Sequence, residues 1–158
     1  MLNSQKIKEL LHNVLEPVVL NDPVSFKTSA LDSGALISST NGAIISYAIN
    51  DESKTSINNL KMMCLLCKDR WSEDESHLDQ QSTKCCYKYQ WHINKGKSYE
   101  TRIYTYEIEE LHVAVGHLPE SDLILLLISS KDYPYGLMIL KMKHALQSFE
   151  NLYGYKLS

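Results

Sequence analysis

Ile57-Asn58-Asn59-Leu60-Lys61-Met62-Met63-Cys64-Leu65-Leu66-Cys67-Lys68-Asp69-Arg70-Trp71 has helical spacing and carries two apolar stripes instead of one. Ile57, Leu60, Cys64, Cys67 and Trp71 recur at three- and four-residue steps, with Met63 at their border, so they share one face of an α-helix. Met62, Leu65 and Leu66 form a second stripe on roughly the opposite side. Lys61 and Lys68 separate the stripes along one border, Asn59 and Arg70 along the other. Thr55 and Ser56, just upstream, are residues that cap a helix by accepting from its free N–H groups. A helix on the surface of a monomer needs one apolar face. Fully burying a Leu or Met contributes roughly 1.5–3 kcal/mol, so a stripe left in water forgoes much of that. Either one stripe packs on the chain's own sheet and the other on a second chain, or the helix is buried between two layers of one domain.

The surrounding sequence bounds the choice. A chain of 158 residues with 44% hydrophobic content predicts one compact domain with a real core, spanning 1–158. A net charge of -3 gives no electrostatic reason to expect nucleic acid. The longest apolar run, Leu123 to Ile128, is strand-sized and far short of a membrane span. Met1 to Lys6 fits neither a secretory signal nor a myristoylation site, and the C-terminus lacks a prenylation cysteine. The four cysteines do not form a disulfide pattern, so a reducing compartment is expected.

Upstream, residues 4–15 read as an amphipathic helix capped by Ser4, with Ile7, Leu10, Leu11, Val14 and Leu15 on one face. Pro17 and Asn21-Asp22-Pro23 end it. Ala35–Ile37 and Ala43–Ile49 flank Thr40-Asn41-Gly42, a hairpin whose Asn-Gly suits a turn with two positive φ angles. Downstream, 72–100 is polar and nearly aperiodic, and reads as a long inserted loop. It is acidic at Ser72-Glu73-Asp74-Glu75 and aromatic at Cys85 to His92, where a short strand or a docking motif is possible. Strands resume at Arg102–Ile108, turn at Glu109-Glu110, return through Leu111–Val115, and turn again at 119–122. Leu123–Ile128 is apolar on both faces, as a central strand covered on both sides would be. Pro134 to Leu152 reads as the last helix, ended by Gly154. The order predicts an α+β domain: a five-stranded antiparallel sheet with one helix on one face and two on the other.

Chemical motifs are few. Cys64-Leu65-Leu66-Cys67 matches C-x-x-C, but a redox pair belongs at a helix N-terminus, and this one lies mid-helix among apolar residues. Cys85, Cys86, His77 and His92 are conceivable zinc ligands that lack the usual gap between cysteines. Glu107, Glu109 and Glu110 fit a solvated turn, and no phosphate-binding glycine loop is present. The aromatic-basic run from Tyr87 to Lys97 could stack on single-stranded nucleic acid, against which the acidic total argues. No cofactor, metal or catalytic residue is assigned. A small cysteine-based redox or zinc-binding domain stays as the alternative.

Asn58–Met63, Trp71–Glu75, Ile103–Glu107, Tyr133–Lys141 and Gly154–Leu157, in this order, resemble the roadblock/LC7-type (profilin-like) scaffold domains of Ragulator. The closer resemblance is to the roadblock subunit of the fungal vacuolar EGO complex. That resemblance implies dimerisation by side-by-side packing of the middle helices and joining of edge strands. In this chain it points to Asn59, Met62, Met63, Leu66 and Arg70 on the helix, and Ile103, Tyr104, Thr105 and Tyr106 on the strand. An edge strand with exposed Tyr104 and Tyr106 would need such a partner. The implied partners are a second copy or another roadblock-like subunit, a lipid-anchored scaffold subunit, and a Rag-type GTPase heterodimer. The implied role is non-enzymatic: holding those GTPases at the cytoplasmic face of the vacuolar membrane, where amino-acid supply is reported to the TOR kinase. Membrane contact would come only through the anchored companion. Another roadblock-fold adaptor, for motors or vesicle tethering, shares the same implied fold.

Overall fold

β8 (Leu123–Ser130) is the axis of the molecule. Leu123, Leu125 and Leu127 face one apolar layer, and Ile124, Leu126 and Ile128 face the other. Alternation on a strand apolar at both parities builds two cores, one on each side of the sheet. The structure is a computed structural model describing residues 3–17, 19–20, 26–27, 30–78, 86–93 and 96–157. Its sheet also contains β3 (Ser33–Ser38), β4 (Ile44–Ile49), β5 (Cys86–Ile93), β6 (Lys97–Ile108) and β7 (Leu111–His117). They run β4-β3-β8-β7-β6-β5, every pairing antiparallel. Short strands β1 (Val19–Leu20) and β2 (Phe26–Lys27) pair with each other.

The helices are α1 (Ser4–Leu15), α2 (Ile57–Ser76) and α3 (Tyr135–Ser148), followed by a 3-10 turn at Glu150–Leu152. α1 and α3 cover the face of Leu123, Leu125 and Leu127, burying Ile7, Leu11, Leu15, Met138, Met142 and Leu146. Among the described residues α2 is the helix on the other face, burying Leu60, Met63, Cys64 and Cys67 against Ile37, Tyr104, Tyr106, Val113 and Val115. The α+β class and the division of helices between the faces are as expected. Gly116 of β7 marks a close approach between the sheet and α3: a Cβ there would lie 2.9 Å from Met142 Sδ.

Several local readings change. The sheet has six strands, not five. The supposed loop at 72–100 contains the last turn of α2, all of β5 and the first residues of β6; 79–85 and 94–95 lie outside the described residues. Asn3, not Ser4, caps α1, its Oδ1 accepting from the Lys6 N–H (3.1 Å). Asn21-Asp22-Pro23 lie outside the described residues. In the first hairpin only Gly42 has positive φ (75°), and Asn41 Oδ1 instead accepts from the Ala43 N–H (2.9 Å). The turn with two positive φ angles is Glu109-Glu110, at 55° and 63°, joining Ile108 directly to its partner Leu111.

Candidate interaction surface

Each stripe of α2 meets a different surrounding. Ser56 Oγ accepts from the Asn59 N–H (3.1 Å) and starts the helix, while Thr55 donates to Asp32 Oδ2 (3.0 Å) and ties the incoming chain to β3. Ile57, Leu60, Met63, Cys64, Cys67 and Trp71 then pack on the sheet. On the opposite side Met62, Leu65 and Leu66 stand in water at 50%, 50% and 42% exposure. Eight large hydrophobic side chains are exposed among the described residues, and these three are grouped on one helix face. The tip of the first hairpin flanks them: a Cβ on Gly42 would lie 3.1 Å from Leu65 Cδ2. Among the described residues no second layer covers the outer face of the helix.

Of the helix residues expected at an interface, Asn59, Met62, Leu66 and Arg70 are exposed; Met63 is corrected to the core at 4% exposure. It lies on the side of the first stripe, facing the sheet.

The strand expectation needs a larger correction. β6 is internal, not an edge: β7 pairs Ile103–Ile108 on one side, and β5 pairs Lys97–Tyr104 on the other. Ile103 is buried toward α1 and α3, while Tyr104 and Tyr106 are each 2% exposed under α2; Thr105 is half-buried. Alternation placed the two tyrosines on one face correctly, but that face is covered by α2. Past Tyr104, the β5 side of residues 105–108 has no strand partner among the described residues.

The acidic end of α2 clamps the helix to β6. Glu75 accepts two hydrogen bonds from Arg102, at 2.8 and 3.4 Å. The Tyr106 hydroxyl donates to Asp74 Oδ2 (2.6 Å); burial and that bond both push its pKa up. Trp71 meets the ring of His117 at 5.4 Å. His117 Nε2 lies 2.7 Å from the Ser121 carbonyl, which can only accept, so this nitrogen carries the proton. Burial holds the His117 pKa below its usual value, partly countered by that bond. Trp71, Glu75, Glu100, Thr101, Arg102 and His117 line a cleft of about 280 Å³. Its charges are matched, with Arg102 on Glu75 and Glu100 on Lys88.

β5 is pinned to α3 by the aromatic run. Tyr89 stacks on Trp91 (4.7 Å), which meets Tyr153 edge-on (5.9 Å). Lys143 donates to the Tyr87 hydroxyl (2.9 Å). The signal was the alternation Tyr87, Tyr89, Trp91, interrupted by polar Lys88, Gln90 and His92. Burial pushes the thiols of Cys64 and Cys67 up to about 12, opposite to what a reactive pair requires. Cys85 lies outside the described residues; among these no cluster of three metal-ligating side chains is found, and no helix is long and apolar enough to cross a membrane.

Solved structures place the architecture. The gliding protein MglB of Thermus thermophilus superposes with a TM-score of 0.61, over 94% of this chain and 89% of that one, at 13% identity. A roadblock/LC7 domain from Streptomyces avermitilis gives 0.55 over 91% and 94%, at 11% identity. At such identities the likeness establishes the fold: this is a roadblock-type domain. The sequence is more specific. The family model described as Protein SLM4 matches residues 1–157, and Protein SLM4 of Saccharomyces cerevisiae (strain ATCC 204508 / S288c) is 46% identical over 165 residues, covering 99% of this chain and 98% of that protein. The chain belongs to the SLM4 family.

Proposed function

We propose that this protein is a binding scaffold whose α2 packs through Met62, Leu65 and Leu66 against the matching helix of a second roadblock-type chain, either another copy or a related subunit. The observation that carries this reading is the exposed apolar stripe on a helix whose other stripe is already in the core. A partner strand adding to β6 would do so at residues 105–108, which have no strand partner on the β5 side among the described residues. In an assembly of EGO type, this pair would be held by a lipid-anchored companion. It would in turn hold a Rag-type GTPase heterodimer at the cytoplasmic face of the vacuolar membrane, for amino-acid signalling to the TOR kinase. Family membership supports binding over catalysis, and in the cleft at Trp71 the charged groups are engaged with one another, Arg102 with Glu75 and Glu100 with Lys88.

The test is the charge variant Leu66→Glu beside Met62→Glu, with association read by light scattering and by co-purification with tagged GTPases. Loss of association with unchanged thermal unfolding is the expected result. Full association in both variants would remove this face. For the membrane role, a fluorescent fusion should leave the vacuolar rim when the companion's lipid anchor is removed; retention there would count against indirect attachment.

A further inference from the structure

Arg70 is a charged side chain of α2 held at the rim of the exposed stripe by an aromatic ring and not by an ion pair among the described residues. It lies one turn beyond Leu66 on the same flank, and its guanidinium sits over the Tyr106 ring at 4.6 Å. The Tyr106 hydroxyl donates to Asp74, so the ring beneath Arg70 is itself held in place. Arg70 is exposed, and no ion pair among the described residues includes it; of the two carboxylates one turn away, Glu73 and Asp74, Asp74 accepts from the Tyr106 hydroxyl. An arginine already ordered on an aromatic face loses little freedom when it accepts a partner. Such residues concentrate binding energy at interfaces.

We infer that Arg70 is a specificity anchor: it takes a carboxylate presented by the partner helix that covers Met62, Leu65 and Leu66. This inference rests on the α2 reading above. The chain's own α2 does not supply that carboxylate. Ile57 to Cys67 contains no acidic residue. A copy packed antiparallel about Cys64 brings Asn58 opposite Arg70, and a copy packed parallel brings Arg70 against Arg70. Only a pairing centred past the apolar stripe would bring Asp69 or Glu73 to it. The fitting occupant is therefore a helix of a different chain, apolar along its centre and acidic where it meets Arg70.

The partner roadblock-type chain would be identified from tandem purification, and its affinity then measured for purified wild type, Arg70→Ala, Arg70→Lys and Leu66→Glu. We expect Arg70→Ala to weaken binding at least tenfold and flatten its salt dependence, with unfolding temperature nearly unchanged. Arg70→Lys should recover only part of the loss, because lysine keeps the charge but not the planar stack. Neutralising the partner carboxylate should reproduce the Arg70→Ala effect and add nothing to it. Arg70→Ala within twofold of wild type, while Leu66→Glu abolishes binding, would overturn the anchor and leave the α2 reading standing. If Leu66→Glu is also silent, the α2 reading itself fails. A tight self-dimer unaffected by Arg70→Ala would likewise overturn the anchor.

Discussion

The two faces of α2 both carry large apolar side chains and have opposite fates. Leu60 and Leu66 lie six residues apart on one helix, the first fully buried and the second 42% exposed. What separates them is the surface each meets. The inner face lands on Ile37, Val113, Val115, Tyr104 and Tyr106, and the outer face meets solvent. Leucine on a helix is thus no sign of a core position until the opposing layer is known.

The comparison can be broken most severely from the inside. Leu60→Ala should cost about 2–5 kcal/mol, as large-to-small changes in packed cores do, read as a lower urea midpoint at unchanged slope. Leu65→Ala, on the outer face, should shift that midpoint little; equal losses would mean that the two faces are not different in kind. On the sheet's far side, Gly116→Val should cost about 1–3 kcal/mol by driving Met142 out of its place.

A gain is expected at the β6–β7 turn. Glu109 and Glu110 both hold positive φ, so replacing the pair by Asn-Gly should raise stability by about 1 kcal/mol, seen as a higher melting temperature. The clamp at the end of α2 is smaller. Glu75→Gln removes the charge facing a partly exposed Arg102 and should cost about 1 kcal/mol or less, shrinking further in high salt.

His117 sharpens the same region by pH. Its folded pKa lies below its unfolded value, so the unfolded chain binds more protons as acid is added. Its contribution is complete above the ordinary histidine range and is lost as pH falls from there toward the depressed folded pKa. His117→Gln should reduce the fall in melting temperature over that window. Cysteine accessibility separates the faces chemically: in the native protein Cys64 and Cys67 should resist alkylation while half-buried Cys86 reacts, read by peptide mass spectrometry.

Much of this was legible in the residues because periodicity reports which side chains share a face. Both stripes of α2, the two-sided β8 and the amphipathic α1 follow from spacing alone. Spacing does not say which face another element covers, and so Tyr104 and Tyr106 read as exposed when α2 lies on them. β5 was legible only as one of two readings of Cys85 to His92, a short strand or a docking motif, because its alternating aromatics are separated by Lys88, Gln90 and His92 and the strand is completed by Tyr153 and Lys143, far along the chain. The last turn of α2 had no apolar signal at all: it is held by Asp74 on Tyr106 and Glu75 on Arg102, contacts that exist only once β6 is in place. At the candidate surface, the exposed stripe was visible in sequence, whereas the seat of Arg70 on Tyr106 required the fold.

The most direct measurement is a paired one on Leu66→Glu: thermal unfolding of the purified variant, and its association with the roadblock-type partner recovered with the wild-type chain. A variant that melts within a degree or two of wild type but no longer associates is the predicted result. A variant that associates as wild type does would contradict the assignment of the outer face of α2 to a partner.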